Sequence, residues 1–496
     1  MVRLWLAGGG LTTDIATQLE EAARRHSQGD AAGALALYRG ILAQSPREPE
    51  ALLGMGVIAK QAGNADLALK LIRAAIAARQ DYAAAWVDLS LVLRETGSRA
   101  EAEEAARIAA QCNPSLPGAW DALGLALKDS GSYAEAASCF ERAIDWQPDD
   151  AHIYGNYAAL LFAMGDLHGA CLAGCKAEHA DPQWPPMILG NSLRAMGYPE
   201  LAARRFAQTR RLQPGFAEAA VSEAMARLQM GDMEQGWALW EQRPDLADEK
   251  LAVLPLWNGD KNMRIIVYED QGMGDALHFA RYIPWLCERT DIATLQLAAP
   301  LRALFAENFP DIPVIAADAA LPAADARCRL SSLSFFAATR IDTIPSAPYL
   351  TASEDRRRVW KERLQPIAAP RIGLVWAGNA RFHNDGARSL PFDMLHILLD
   401  KGMKHFVSLQ KERSEMAASA DLFDAASMLQ DFADTAALIS ELDLVITVDT
   451  AVAHLAGALG KPAWILLPFD ADWRWLLGRE DSPWYASARL FRQNKP

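Results

Sequence analysis

Small and apolar residues recur through the first half of the chain with a fixed period. Pro46, Pro114, Pro148 and Pro182 stand at multiples of 34 residues, with Gln80 where another proline would fall and Pro214 two residues early. Between these positions the sequence is alanine-rich and has the periodicity of amphipathic helices. A fixed period of this length is typical of helix pairs that stack on one another. The pattern predicts six helical repeats.

The best copy of the repeat runs from 117 to 150 and resembles the tetratricopeptide repeat. Its matching positions are Trp120, Leu123, Gly124, Leu127, Gly131, Ala136, Phe140, Ala143 and Pro148. Small residues let the two helices approach closely, aromatic residues fill the space between repeats, and the proline ends the second helix. We therefore predict a tetratricopeptide solenoid over 15–243, after a tail of residues 1–14, with Trp237 and Trp240 forming a cap at its end.

A solenoid of this kind usually holds a peptide on its concave side. The twelfth position of successive repeats is mostly basic and the ninth is mostly apolar, and a basic row beside an apolar stripe would suit an acidic, partly apolar segment of another protein. The predicted acceptor-binding residues are Lys60, Leu91, Arg94, Leu125, Lys128 and Phe162. A solvated helix face would carry the same charges, and this alternative stays open.

From about residue 251 the helical periodicity gives way to short β-branched runs that alternate with helices. "MRIIVYED", "TLQLAAP" and "IPVIAA" predict the strands of one α/β domain over 251–350. "PRIGLVWAGN", "HFVSLQ", "LVITVD" and "PAWILLP" predict those of a second over 365–496. The predicted fold is thus multidomain: an all-α solenoid followed by two Rossmann-like domains, whose ligands lie at the carboxyl ends of the strands.

Composition narrows the choice of partners and compartment. The 496 residues include 51% hydrophobic and 22% charged residues, and the formal net charge is −13, which gives no electrostatic reason to bind nucleic acid or an anionic membrane. The six cysteines show no paired metal-ligand spacing and no disulfide framework, as expected in a reducing cytoplasm. The first apolar stretch is too short for a signal-peptide core or a spanning helix, so we expect no export.

The segment 442–467, "LDLVITVDTAVAHLAGALGKPAWILL", predicts a buried strand, a turn at Asp449 and Thr450, and a helix that begins near Ala451 and carries His454 on its first turns. Free backbone N–H groups at a helix start bind phosphate, and the threonine hydroxyl could add a contact. These four residues are therefore predicted to bind a nucleotide. Alternatively, Asp449 simply caps the helix and His454 packs inside.

Several motifs together resemble the bacterial glycosyltransferases that join tetratricopeptide repeats to a heptosyltransferase-type catalytic region. They are "EDQGMGDALHFARYIP", "PRIGLVWAGN", "RSLPF", "VSLQKE" and "ITVDTAVAHLAGALGKPAWILLPFDADWRWLLGREDSPWY". The resemblance implies a GT-B architecture, a nucleotide-sugar donor, no cofactor and metal-independent, inverting transfer. Because flagellin-modifying transferases share this layout, it also implies flagellin as the protein acceptor, modified on Ser or Thr, and a donor such as a CMP-nonulosonic acid.

The resemblance also assigns roles in the first motif. Asp275 corresponds to the general base of the Gly-Asp motif, which would take the acceptor proton. Gly272 and Gly274 would keep the strand-to-helix turn open to the donor. His278 is a second candidate for the base or a donor contact. Capping of the following helix would equally explain the aspartate, and packing would explain the histidine.

Further donor-binding candidates follow the strands of the last domain. Lys411 would place its ammonium group against the leaving phosphate, although a solvated lysine is an equal alternative. The loop after "IGLVW" supplies Asn379, His383, Arg388 and Ser389, and Gln410 stands at a strand end where a nucleobase or ribose would pass.

Two other functions remain open. The chain could be a non-catalytic repeat scaffold with a transferase-like domain, although its intact Asp275 and Lys411 argue against this. It could also be a transferase that acts on a saccharide or lipid-linked acceptor.

Overall fold

In the computed structural model, which describes residues 13–245, 247–379, 385–395, 399, 405–411 and 422–495, antiparallel helix pairs build the first half of the chain. The chain divides into two units, Met1–Ser192 and Leu193–Pro496. The helices of the first unit are α1 (Thr13–Ser27), α2 (Ala31–Gln44), α3 (Pro49–Gln61), α4 (Ala65–Ala78), α5 (Ala83–Glu95), α6 (Arg99–Cys112), α7 (Pro117–Asp129), α8 (Tyr133–Trp146), α9 (Ala151–Ala163) and α10 (Leu167–Ala180).

The turn inside each pair needs a glycine, and this explains why glycine recurs once in every period of the sequence. Gly29, Gly63, Gly97, Gly131 and Gly165 all have φ between 75° and 83°, where a side chain would be strained. Gly124 has a different reason, since a methyl group added there would lie 2.9 Å from the buried Phe140 ring. The predicted close approach of the two helices is confirmed.

Helix α11 (Met187–Ala195) contains the boundary between the units, and α12 (Pro199–Leu212), α13 (Ala217–Gln229) and α14 (Met233–Trp240) follow in the second unit. Trp237 and Trp240 on α14 are buried, as expected of a cap. Their rings contact Trp473 of the α/β region at centroid distances of 5.2 and 6.2 Å. The last helix pair is therefore packed onto the α/β region rather than closed off by itself.

A four-stranded parallel sheet comes next, with the order β3-β2-β1-β4. Its strands are β1 (Arg264–Tyr268), β2 (Asp291–Gln296), β3 (Val314–Ile315) and β4 (Ala326–Arg329). The helices around it are α15 (Glu249–Ala252), α16 (Met273–Phe279), α17 (Ile283–Cys287), α18 (Ala299–Asn308) and α19 (Leu333–Phe336).

The second parallel sheet has six strands in the order β10-β9-β8-β5-β6-β7. They are β5 (Ile372–Val375), β6 (Phe406–Ser408), β7 (Leu422–Asp424), β8 (Leu444–Val448), β9 (Ala463–Leu467) and β10 (Ala488–Arg492). The helices α20 (Glu354–Arg363), α21 (Asp385–Arg388), Phe432–Ser440 and Ala451–Ala458 accompany it. The predicted fold class, a helical solenoid followed by two parallel α/β sheets, is confirmed.

All seven predicted strands are present, whereas β4, β7 and β10 were missed. Strand β4 reads Ala-Arg-Cys-Arg, a polar pattern, yet every residue in it is buried. Its arginines are buried because they pair with Asp245, at 2.7 Å from Arg327 and 3.7 Å from Arg329. A partner so far away in the sequence could not be read from the strand itself. The predicted domain boundaries stay predictions.

None of the helices in the described part of the chain is long and apolar enough to cross a membrane.

Candidate active site

Two strand-to-helix turns, one from each sheet, meet in the second unit. Strand β1 leads through residues 269–272 into α16, and β8 leads through Asp449 and Thr450 into the helix Ala451–Ala458. A methyl group added to Gly274 would lie 3.1 Å from Cδ2 of His454 and 3.4 Å from Cα of Ala451. The amino ends of the two helices are therefore in contact, at the carboxyl ends of two parallel strands, where α/β proteins bind ligands.

This contact gives Gly274 a packing reason to be glycine. Gly272, by contrast, is exposed, and its φ of −81° is open to other residues. The predicted approach of a donor to these two glycines stays a prediction.

Asp275 lies on the first turn of α16 with 27% of its side chain exposed. Its Oδ2 accepts a hydrogen bond of 3.0 Å from the backbone N–H of Gly272, and its Oδ1 is paired with Arg474. Burial raises the pKa of Asp275, and the Arg474 guanidinium lowers it in part. The residue thus makes the predicted capping contact and also presents a carboxylate of increased basicity at the meeting point of the helices.

Arg474, which the sequence reasoning did not single out, links this carboxylate to the second sheet. It belongs to a short 3-10 helix, Trp473–Trp475, and its Nη1 donates to Asp472 at 2.8 Å. Its side chain is 7% exposed, and its guanidinium lies 4.2 Å from the ring centroid of Trp473. The sequence signal for Arg474 was its place between two tryptophans and after an aspartate. No local pattern could link it to Asp275, because the two residues are 199 positions apart.

His278 and His454 are both buried, and they share one partner. Nδ1 of His278 lies 3.0 Å, and Nδ1 of His454 2.9 Å, from the hydroxyl of Tyr485. The His454 ring also stacks on Trp475 at 5.4 Å with an interplanar angle of 9°. Burial, with the positive charges of neighbouring arginines, lowers the pKa of both imidazoles well below 6.5. His278, at 0% exposure, has the packed environment of the structural alternative.

The predicted phosphate-binding turn is polar and firmly held. Burial and the nearby Asp472 raise the pKa of Asp449 to about 6. Nη1 of Arg388 donates to the Asp449 backbone carbonyl at 3.1 Å, and its Nε donates to Asp385 at 3.2 Å. Arg388 is therefore anchored on the turn at Asp449, and Ala451 and His454 lie against Gly274, the neighbour of Asp275 in the chain. The role of these residues in donor binding stays a prediction.

The remaining donor-binding candidates have different surroundings. Oε1 of Gln410 accepts from the backbone N–H groups of Trp376 and Ala377 at 3.2 and 3.0 Å, so this side chain joins two strand ends. Lys411 and Asn379 are exposed at the ends of their strands. The Ser389 hydroxyl accepts from the N–H of Gly378 at 2.9 Å, whereas His383 lies outside the described residues.

The last two features of the site are the contact of the Thr450 hydroxyl and, among the described residues, the lack of a cluster that could bind a metal ion. The hydroxyl of Thr450 lies 3.1 Å from that of Thr447 at the end of β8. Among the described residues there is no group of three or more His, Cys, Asp or Glu side chains placed to hold a metal ion.

The acceptor-binding residues predicted on the repeats are largely engaged within the first unit. Lys60 lies 3.4 Å from Glu95, and Arg94 lies 2.7 Å from Asp129, in each case one repeat further along. Lys128, Leu91 and Phe162 are half-buried, whereas Leu125 is only 9% exposed and has little surface to offer. Lys60 and Arg94 of the predicted basic row are thus ion-paired, which changes the charge pattern that a partner would meet.

Comparisons with known families agree with both halves of the chain. Tetratricopeptide repeat models match residues 25–89 and 117–150. The model of glycosyltransferase family 9 (heptosyltransferase) matches residues 410–466, which include the turn at Asp449 and the helix with His454. Protein FlbA of Caulobacter vibrioides is 27% identical over 390 residues, which are 71% of this chain and 60% of FlbA. The chain therefore carries tetratricopeptide repeats joined to a glycosyltransferase-like region.

Solved structures with helical repeats are also similar to part of the chain. A tetratricopeptide repeat protein of Thermus thermophilus is 22% identical and matches 34% of this chain and 92% of its own, with a TM-score of 0.32. PilF of Pseudomonas aeruginosa is 20% identical and matches 41% of this chain and 94% of its own, with a TM-score of 0.36.

Proposed function

We propose that this tetratricopeptide-repeat glycosyltransferase moves a sugar from a nucleotide-sugar donor to a Ser or Thr hydroxyl of a protein held by the repeats. The family 9 match supports sugar transfer, and the repeats support a protein partner. Flagellin as the acceptor and a nonulosonic acid as the sugar follow from the resemblance to flagellin-modifying transferases. The two parallel sheets would form the two halves of a GT-B enzyme.

The observation that carries this proposal is the position of Asp275. Its partly exposed carboxylate stands where the amino ends of α16 and the helix Ala451–Ala458 meet. As the acceptor oxygen forms its bond to the anomeric carbon, Asp275 takes the hydroxyl proton and the bond to the leaving phosphate breaks. Attack from the face opposite the nucleotide would invert the configuration at that carbon.

Positive groups near the second turn would stabilise the leaving phosphate. The amino end of the helix Ala451–Ala458 offers backbone N–H groups, and Arg388 is anchored beside it on the carbonyl of Asp449. Lys411 would add a mobile ammonium group. Because these groups supply the charge, we expect transfer to continue in excess EDTA, and transfer that stops on chelation would contradict a metal-independent mechanism.

The experiment is intact-mass spectrometry of flagellin co-expressed with this protein and a complete nonulosonic-acid donor pathway. Asp275→Asn keeps the size of the side chain but removes the base, so the mass increase of flagellin should disappear. Asp232→Asn is a matched control, because Asp232 also caps a helix, at 3.3 Å from the N–H of Gln235, and pairs with Arg227 at 2.9 Å. The control should retain the mass increase.

Each other outcome has a definite meaning. Full transfer by Asp275→Asn would refute the base assignment. If the wild type adds no mass although the repeats capture flagellin, the nonulosonic donor is wrong and the scaffold function gains support. Flagellin that is not captured at all would be discarded as the acceptor, in favour of a saccharide or lipid-linked one.

Capture of the acceptor can be tested on the repeats separately. Reversal of three basic charges should lower the affinity for flagellin, since it reverses the charge of the predicted binding row and leaves the acidic partners of two of them unmatched. The residues to reverse are Lys60, Arg94 and Lys128. Unchanged affinity in a pull-down or by calorimetry would contradict the proposed acceptor surface.

A further inference from the structure

The hydroxyl of Tyr485 lies between two buried imidazoles, one from each strand-to-helix turn. His278 follows β1 and His454 follows β8, and their Nδ1 atoms lie 3.0 and 2.9 Å from this one oxygen. Tyr485 is 1% exposed, and a methyl group added to Gly457 would overlap its ring. The hydroxyl is therefore held in one place by the packing of its ring.

One phenol hydroxyl can donate one hydrogen bond and accept others. Both imidazoles are neutral, because burial and the charges of Arg281 and Arg474 lower their pKa values well below 6.5. If both Nδ1 atoms lacked a proton, Tyr485 could bond to only one of them. At least one Nδ1 must therefore carry a proton for both short contacts to be hydrogen bonds.

The surroundings of His454 indicate which of the two histidines carries a proton on Nδ1. Nε2 of His454 faces Oδ1 of Asp449 at 3.9 Å. Asp449 is mostly ionised at neutral pH, since its pKa is raised only to about 6 by burial and by Asp472. A carboxylate there favours a proton on Nε2, which leaves Nδ1 of His454 to accept from the Tyr485 hydroxyl.

The proton on Nδ1 then belongs to His278, which donates to the Tyr485 oxygen. The buried Nε2 of His278 has no hydrogen-bond partner among the described residues. With the proton on Nδ1, this Nε2 carries only a lone pair, so no buried N–H is left without an acceptor.

We propose that Tyr485 is a positioning residue that holds His278 and His454 in opposite tautomers and so presents the Nε2–H of His454, beside Asp449, to the phosphate of the donor. The part played by phosphate rests on the proposed function. Tyr485 would contact no substrate itself and would act through the imidazole of His454.

The tautomers can be measured directly on the full chain. Long-range ¹H–¹⁵N spectra of protein labelled at its nine histidines separate Nδ1–H from Nε2–H forms, and His278→Gln and His454→Gln assign the two signals. We expect Nδ1–H for His278 and Nε2–H for His454 in the wild type at about pH 7.5. Tyr485→Phe, which keeps the ring and removes the hydroxyl, should abolish this fixed pairing.

Inorganic phosphate then tests the role of the pairing, because it is the group that every nucleotide donor shares. Phosphate should shift the His454 signal. Tyr485→Phe should weaken phosphate binding about fivefold, because His454 without a fixed tautomer loses the hydrogen bond that its Nε2–H donates to phosphate, and one lost hydrogen bond is worth about that factor. Tyr282→Phe is the control: it removes another buried hydroxyl of this unit, 2.9 Å from Oγ1 of Thr339, and should change neither result.

The inference would be overturned if His278 and His454 of the wild type had the same tautomer or were both charged. It would also be overturned if Tyr485→Phe left the spectra and the phosphate affinity unchanged. These results are independent of catalysis. Opposite tautomers with weakened phosphate binding, but without sugar transfer by the wild type, would uphold Tyr485 and refute the proposed function. Transfer that depends on Asp275, with equal tautomers, would refute the role of Tyr485 alone.

Discussion

Replacement of Arg474 by methionine should change both the stability of the second unit and its pH profile. The guanidinium is 7% exposed and pairs with Asp275 and Asp472, which are each 27% exposed. Removing one partner of a fully buried ion pair costs about 3 to 5 kcal/mol. Because both carboxylates keep some contact with water, we expect a smaller loss of unfolding free energy, about 2 to 3 kcal/mol.

The same substitution should move the acid limb of kcat/KM. The positive charge of Arg474 lowers the pKa of Asp275, so removing that charge raises the pKa of this carboxyl further. A general base acts in its ionised form, so as the pH falls the variant should lose activity at a higher pH than the wild type does.

Urea unfolding and sugar transfer measured between about pH 5 and 9 would give the two quantities. Arg474→Lys keeps a positive charge and should therefore show a smaller shift of the acid limb than Arg474→Met. Arg204→Met, which removes an exposed ion pair of 2.7 Å to Glu200, should change neither stability nor pH profile measurably. An acid limb that stays in place, or moves to lower pH, in Arg474→Met would refute the pairing as the cause of the tuned carboxylate.

Two further predictions concern stability. Folded His278 and His454 resist protonation, so the free energy of unfolding should fall below about pH 6.5, where the histidines of the unfolded chain take up protons, by about 1.4 kcal/mol per histidine and pH unit. Below about pH 6 the raised pKa of Asp449 opposes this loss. In urea unfolding, His278→Gln should have a flatter slope of stability against pH than the wild type, and equal slopes would refute the reasoning. In the first unit, Gly124→Ala should cost about 1 to 3 kcal/mol because its methyl group would press on Phe140. By contrast, Gly40→Ala, with no described atom within 4 Å of the new methyl, should stabilise α2 by about 0.5 to 1 kcal/mol; equal thermal unfolding of the two variants would contradict the packing argument.

Local sequence patterns largely determined the helices and strands of this protein. The helix pair repeats every 34 residues, and a glycine with positive φ recurs with the same period at the turn between its helices, so the repeat is visible in the sequence without a structure. Strands β1 and β8 were predicted for a similar reason, since a buried parallel strand is a continuous apolar run that ends in a polar turn. Both turns of the candidate site were therefore found from the sequence.

What completes the site was decided by tertiary structure. Arg474 reaches Asp275 across 199 positions, and Tyr485 reaches His278 across 207. No period or spacing encodes such pairs, because their geometry depends on how two sheets pack. The buried arginines of β4 show the same limit, since the free-energy cost of burying their charges is offset by pairing with Asp245 on another segment. The sequence by itself determined which segments form helices and strands and which two strand-to-helix turns make up the candidate site. The packing of the sheets determined which charges meet there, because electrostatic pairing depends on distance in space.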